Sequence, residues 1–348
     1  MASLMDQLDF LTRRAWVKSN DQLLRKHSQL SRLLMMRASR DQQTGAKIEF
    51  GLRTTRPPVK ALADAYDTYP TAGGPTHLRG VLEWADYVVG LQISGKEIRA
   101  QHGVNIQQLL KRNSLSEMST RERSVMMSIL TGQVSEGQEA LAEKIGTDIY
   151  NSTGSVGLTG LQAIIDNSQS DYATLAYNNA LFETDSKAGN TTYWEPQVST
   201  NSGTLRELTL ELIGITKGRV RRGGEKAEEV VAVCDNDLWT ELDLLLQSQK
   251  GYVDKNGSAL AKVGFDAFEW GFISFMPDER APANKLYILN MNNLWLEIRP
   301  SADENNFEGW EKAPKQDVAY GPIHMECQLV CNDRHRQGLI GDIAGVSD

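Results

Sequence analysis

Cysteine is almost absent from this sequence, and the three present (Cys234, Cys327 and Cys331) are an odd number. So sparse a set excludes a disulfide-stapled scaffold and predicts reduced, buried thiols. Long apolar runs are missing too: none approaches the roughly 20 consecutive apolar residues that span a bilayer. The opening MASLMDQLDF lacks the basic stretch and apolar core of a secretory signal, so a soluble chain made in a cytoplasm is expected. Catalytic signatures are absent as well. There is no GxxxxGK[ST] phosphate loop, no GxSxG elbow and no HExxH pair. Neighbouring carboxylates such as Asp278 and Glu279 have no matching group to make an acid–base pair. The expectation is a protein that is not an enzyme and carries no cofactor.

What is present is ordinary in amount and uneven in placement. A chain of 348 residues, 40% hydrophobic and 24% charged, suits one large domain or two modest ones with a real core. Net charge is −8, but residues 1–48 hold nine basic residues against four acidic ones. That segment is net +5 and leaves −13 on the remainder. Arg13, Arg14, Arg25, Lys26, Arg32 and Arg37 in this basic segment form either a solvated helix face or a surface for nucleic acid or an acidic partner.

Residues 5–37 have leucines at helical spacing (Leu8 and Leu11; Leu23, Leu24, Leu30, Leu33 and Leu34) and predict one or two helices in an arm outside the core. A long hairpin is predicted over 44–93. Its outgoing strand, Lys47 to Val59, is broken by Pro57 and Pro58, and its tip is the turn-rich YDTYPTAGGPTH. Its returning strand alternates Tyr87, Val89, Leu91 and Ile93, so one face must meet something apolar. A projecting hairpin of this length predicts a partner for that face to lie against. Ser119 and Glu122 then form a capping box for a long helix to about Tyr150, with Val125, Ile129, Val134, Leu141, Ile145 and Ile149 on its buried side. Gly132 and Gly137 are candidate bends. The glycine-rich NSTGSVGLTGLQAII connects to a second region with helices over 204–217 and 237–248. Strands there are expected at Val230 to Val233, FISFMP, KLYILN and LWLEIRP. MECQLVCNDRHRQGLIGDIA reads as two short strands around a polar corner, completing an α+β pattern.

One cluster imitates a metal site. His324, Cys327, Cys331 and His335 lie within twelve residues. Strand alternation sends Cys327 and Cys331 to one face and His324 to the other, which favours buried thiols over a metal. The glycine pair in RRGGEK reads as a turn. The seven tryptophans, Trp84 among them, are scattered and suit core or interface anchors.

At the predicted second hairpin strand, LEWADYVVGLQISGKE resembles a stretch of the tailed-bacteriophage major capsid proteins of the Hong Kong 97 fold family. There an aromatic-rich strand ends in an Ile-Ser-Gly turn before a long spine helix. The upstream YDTYPT resembles the tip of that family's extended loop. EKIGTDIYNSTGSVGLTGLQAII is similar to its helix, Asp-x-Tyr and glycine-rich link. LLLQSQKGYVDKNGSALAKVGFDAFEWGFISFMPD, KLYILNMNNLWLEIRPSAD and QLVCNDRHRQGLIGDIA follow in the family's order, so the resemblance spans about residues 60–345. Extra length at 111–128 and the basic N-terminal helices depart from the pattern.

The resemblance implies an α+β, Hong Kong 97-type phage capsid fold: an N-terminal arm (1–49), an extended loop hairpin (50–95), a peripheral domain with the spine helix (96–154), an axial domain (155–300) and peripheral C-terminal strands (301–348). It implies a major coat protein that assembles with itself into pentamers and hexamers of an icosahedral head around double-stranded DNA. Scaffolding and portal proteins, and a decoration protein in some relatives, are the further partners implied. No membrane is involved, and the location is the virion, assembled in the host cytoplasm. Tyr66, Asp67, Trp84, Tyr87, Val89 and Leu91 are the candidate contacts between subunits, and the basic arm is the candidate DNA-facing or partner-facing surface. Some relatives crosslink the shell. Lys60 is the candidate donor, but no partner signal accompanies it and no crosslink is expected. An encapsulin-like nanocompartment shell, a minor virion component and a small-molecule enzyme are the competing classes.

Overall fold

The computed structural model describes residues 28–39, 45–55, 59, 76–94, 120–151, 154, 156–165, 170–185, 191–221, 229–247, 268–271, 273–300, 311–312 and 318–345. Two principal sheets organise them.

The first sheet has six strands and is built from apolar runs. Its three central strands are β7 (Val230–Cys234), β9 (Ile273–Pro277) and β10 (Leu286–Asn290), and every residue in them is buried. Such strands need cover on both faces. Alternation sends Val230, Ala232, Phe275 and Ile288 to one face, beneath α4 (Leu210–Val220) and α5 (Asn236–Gln247). Val231, Val233, Met276 and Leu289 go to the other face and join the main core. The order is β6 (Gln197–Ser199), β14 (Gly338–Ile340), β10, β7, β9 and β8 (Phe268–Trp270), with parallel pairs at β6–β14 and β7–β9. Thr209 caps α4 by accepting from the Leu212 amide at 3.3 Å. The helix packs so closely on β14 that a Cβ at Gly338 would lie 2.8 Å from a Val220 methyl.

The second sheet is organised by β13 (Val318–Cys331), fourteen residues long. Along 318–327 it pairs with β3 (Ala85–Ser94), and along 327–331 with β11 (Leu294–Ile298). The short β12 (Glu311–Lys312) pairs opposite β3. The 32-residue α2 (Thr120–Asn151) runs unbroken through Gly132 and Gly137. It buries Val134, Leu141, Ile145 and Ile149, as its sequence pattern predicts. Ser119 and the side chains of Val125 and Ile129 lie outside the described residues.

Three expectations are corrected. The hairpin pairs β1 (Lys47–Arg53) with β2 (His77–Glu83), from Lys47↔Glu83 to Arg53↔His77, so it returns one strand earlier than predicted. Two strongly alternating segments lie side by side, and only Trp84 separates β2 from β3. The more apolar β3 turns into the body and takes β13 as its partner. The N-terminal segment is also not wholly an arm. In α1 (Gln29–Met36), Leu30, Leu33 and Leu34 are buried in the main core, because its leucine stripe is covered within the chain. The first of the two strands read as short around the polar corner is the end of the fourteen-residue β13, and the corner itself is interior: Arg334, His335 and Gln337 are all buried. In the sheets, β11 pairs with β13 and β14 with β10. The expected breaks at Pro57-Pro58 and Gly73-Gly74, and Lys60, lie outside the described residues.

Candidate functional site

The residues expected to contact neighbours divide between the inside and the surface. Tyr66 and Asp67 lie outside the described residues, as do Arg13, Arg14, Arg25 and Lys26. Arg32 and Arg37 are half-buried on α1 and at its C-cap. Tyr87 and Leu91 are interior, at 7% and 1% exposure, and Val89 packs partly buried against the same core. The apolar face of β3 is therefore covered within the chain, by α2 and its surroundings. The face open to a neighbour is the opposite one, carrying Asp86, Val88 and Gln92. Val88 is 51% exposed, and on the adjacent strand the Tyr320 ring lies over Gly90, where a Cβ would meet it at 2.7 Å. Trp84 is half-buried against the core, and its ring stacks under the Arg299 guanidinium at 5.0 Å.

Beneath that face lie buried polar joints that tie the sheets to the helices and connectors packed on them. At the first, the Tyr87 hydroxyl donates to Asp148 Oδ2 at 2.8 Å and accepts from the Leu158 amide at 2.9 Å. Lys144 donates to the other Asp148 oxygen at 2.9 Å. Strand β3, the end of α2 and the glycine-rich connector thus meet at one hydroxyl. The connector approaches so closely that a Cβ on Gly157, at φ +95°, would lie 2.6 Å from Asp148 Oδ2. Burial pushes the Tyr87 hydroxyl well above its ordinary value, so it stays protonated and keeps its donor. Gln328 of β13 extends the joint, accepting from the Thr159 amide at 2.6 Å and donating to the Glu83 carbonyl at 2.6 Å.

The second joint is Asp278, 1% exposed at the end of β9. Its Oδ2 accepts from the Ser28 hydroxyl (2.7 Å) and the Leu30 amide (2.8 Å), and its Oδ1 from the Arg280 amide (2.9 Å). A buried carboxylate is tolerable here because three donors, two of them at the start of α1, replace its water. Burial first, and then the Asp278 charge, push the nearby Tyr150 hydroxyl well above its ordinary value.

The third joint is Arg334, fully buried in the corner after β13. Its Nε donates to the Ile164 carbonyl at 2.8 Å, and Nη2 donates to those of Ala163 (3.2 Å) and Ser170 (3.3 Å). Those first two carbonyls end the short α3 (Leu161–Ile164), where helix acceptors lack backbone partners. Tyr172, Tyr177 and Trp194 surround the guanidinium at 5.3–5.7 Å. Beside it, Gln337 imitates a strand: its Oε1 accepts from the Asn290 amide (3.0 Å) and its Nε2 donates to the Asn290 carbonyl (3.2 Å). In the sequence, Asp278 stands only as half of an unmatched carboxylate pair and Arg334 only as part of a polar corner, with no local signal that either is buried.

The four residues of the apparent metal cluster do not converge. His335 is held by the Glu195 carbonyl (2.8 Å) and Gln197 (2.9 Å), while His324 lies beside Asp86. Cys327 and Cys331 are fully buried in β13, and burial pushes the Cys331 thiol up to about 12. Among the described residues no group of three or more His, Cys, Asp or Glu side chains is placed to hold a metal ion. One cleft of about 510 Å³ lies where the end of β1 meets this corner, with Arg53, Glu183, Asp333 and Arg336 among its lining. Asp333 and Arg336 pair with each other at 3.1 Å.

No known family profile and no curated protein matches this sequence. Solved structures do match the fold. The capsid of cyanophage A-1(L) is similar over 89% of this chain and 92% of its own, at 17% identity and a TM-score of 0.61. The capsid of a native GTA particle covers 89% and 90%, at 11% identity and a TM-score of 0.53. The SrpI encapsulin of Synechococcus elongatus PCC 7942 covers 92% and 88%, at 9% identity and a TM-score of 0.52. The chain has the Hong Kong 97-type fold of these shell proteins along nearly its whole length.

Proposed function

We propose that this chain is the major coat subunit of a tailed-phage head and that it is structural, without catalytic activity. Copies assemble into pentamers and hexamers of an icosahedral shell around double-stranded DNA. The observation that carries this reading is the near-complete, two-way coverage of the cyanophage capsid subunit: neither chain has a large domain the other lacks. The surface supports it. The hairpin of β1 and β2 is a two-stranded sheet, a unit that is marginal when isolated. Val88 and Tyr320 put apolar area at an open sheet face. At about 25 cal/mol per Å² of apolar area, modest contacts per copy become large over a closed shell. Assembly follows in the host cytoplasm with scaffolding and portal proteins, and in the virion a decoration protein is a further candidate partner. The basic residues Arg13, Arg14, Arg25 and Lys26 screen packaged DNA from a body of net charge −13.

A nanocompartment shell is the second reading, favoured by the encapsulin's coverage of 92% of this chain. Particles formed by the purified full chain, imaged in negative stain and assayed for nuclease-protected nucleic acid, separate the two. Closed particles that package DNA with their phage partners support the coat reading. Particles that retain only a protein cargo support the other, and a chain that stays monomeric at high concentration sinks both. Neutralising the four basic residues is expected to reduce DNA retention, and unchanged retention removes their screening role.

A further inference from the structure

Before the hairpin begins, the chain is tied to the body at three places. The first is Asp278, which takes the Ser28 hydroxyl and the Leu30 amide at the start of α1. The second is Ser39. Its amide donates to the Leu296 carbonyl at 2.8 Å and its carbonyl accepts from the Ile298 amide at 3.0 Å, a short parallel bridge onto β11. The third is Gly45, whose carbonyl accepts from Trp84 Nε1 (3.2 Å) and Arg299 Nη2 (2.7 Å). Arg299 is itself fixed, stacked on the Trp84 ring at 5.0 Å and paired with Glu326. Residues 40–44 lie outside the described residues.

The third tie holds the open end of the hairpin from both sides. Gly45 lies two residues before β1 starts at Lys47, and Trp84 directly follows Glu83, the last residue of β2. Lys47 and Glu83 are partners in the ladder and form an ion pair at 2.9 Å. A two-stranded ribbon has little stiffness of its own, so its direction is set by what grips its base. One side of that grip, the Val81 amide on the Ala173 carbonyl at 3.1 Å, comes from the body. On the β1 side, Ile48 and Leu52 are buried in the main core and the Thr54 carbonyl accepts from the Glu183 amide at 3.3 Å, while the start of the strand is reached through Gly45.

We propose that residues 28–39, together with the Gly45 anchor, form a strap that sets the pose of the hairpin on the body. Asp278 and Arg299 are its two positioning residues, and Trp84 acts inside the chain as the plate on which Arg299 clamps. This rests on the reading of the hairpin as an assembly arm only for its consequence in shells. The coupling itself is a property of the single chain. Leu30, Leu33 and Leu34 hold the strap by burial, but an eight-residue helix is too short to persist undocked, so losing one end loosens the whole segment.

Hydrogen exchange on the unassembled full chain tests it, with Asp278→Asn, Arg299→Ala and Arg299→Lys. Asp278→Asn is expected to speed exchange at Leu30–Leu34 and, through the strap, in β1, each by roughly tenfold. Arg299→Ala is expected to speed β1 by a similar factor while Leu30–Leu34 and Val230–Val233 keep their protection, and Arg299→Lys restores part of it. Faster exchange in α1 with β1 unchanged, or no change in β1 in Arg299→Ala, overturns the proposal. If Asp278→Asn also exposes Val230–Val233, the body has opened, and the Arg299 variants then decide. Particle yield is scored separately. A wild-type chain that never assembles removes the coat reading and leaves the exchange result standing.

Discussion

The two sheets of this protein are closed by different means. In the six-stranded sheet, β7, β9 and β10 are apolar on both faces and covered on both, so its cohesion comes from area removed from water. In the β13 sheet the half built on β3 keeps one face open, while β11 and residues 327–331 of β13 are buried on both, and the layers beneath are bound by the polar joints at Tyr87, Asp278 and Arg334. The difference teaches where a chain of this fold is free to meet another surface. A sheet sealed on both faces has nothing left to offer, whereas one that keeps a face open must be held in shape by contacts made from its inner side.

The largest effects should come from attacking each means of closure where it is densest. Phe275 is fully buried in β9, between α4, α5 and the neighbouring strands. Its replacement by alanine should cost about 3–5 kcal/mol, read as a lower denaturation midpoint in urea at unchanged slope. Arg334→Ala should cost about as much for the opposite reason, since each buried acceptor left unsatisfied costs about 1–3 kcal/mol. It removes a buried cation and leaves the Ile164, Ala163 and Ser170 carbonyls without their donor. Arg334→Lys should recover less than half of that loss, because one ammonium cannot reach all three carbonyls and stack among three rings. A fully restored midpoint in the lysine variant would show that charge alone holds the corner.

Tyr87→Phe is the intermediate case. It keeps the ring and deletes only the hydroxyl, so the Leu158 amide and Asp148 Oδ2 each lose a partner. A loss of about 1–3 kcal/mol is expected. The same change in a residue lying between subunits would leave the monomer untouched and weaken only the particle. Equilibrium unfolding of the unassembled chain therefore tells the two roles of Tyr87 apart.

How far the sequence foretold this depends on which means of closure is considered. The strands at 230–233, 273–277, 286–290 and 294–298 were legible because continuous apolar runs need no partner to be recognised. The buried side of α2 was legible from its period. The joints were not. Arg334 stands in NDRHRQG, a string that any local reading assigns to solvent, and it is buried only because three carbonyls and three aromatic rings converge on it from residues 163–194. Asp278 is buried because α1, some 250 positions away, brings it two donors. The alternation of Tyr87, Val89 and Leu91 was read correctly as a face that meets something apolar. What alternation cannot reveal is whether that cover comes from the same chain or from another.

The smallest expected effect on the single chain sharpens the comparison most, because it opposes neighbouring positions of one strand. Leu91 and Val88 both lie on β3, at 1% and 51% exposure. Leu91→Lys forces a charge into the main core and should leave no folded subunit to assemble. Val88→Lys places the same charge on the open face and should change the unfolding free energy of the monomer by no more than about 0.5 kcal/mol. If that face is where copies meet, the second substitution repeats a buried lysine at every contact of the shell, and particles should disappear from negative-stain fields while the monomer's midpoint stays put. A normal particle yield from Val88→Lys would move the contact surface off the β13 sheet and onto the hairpin alone. Loss of particles together with loss of monomer stability would mean that the open face is not open.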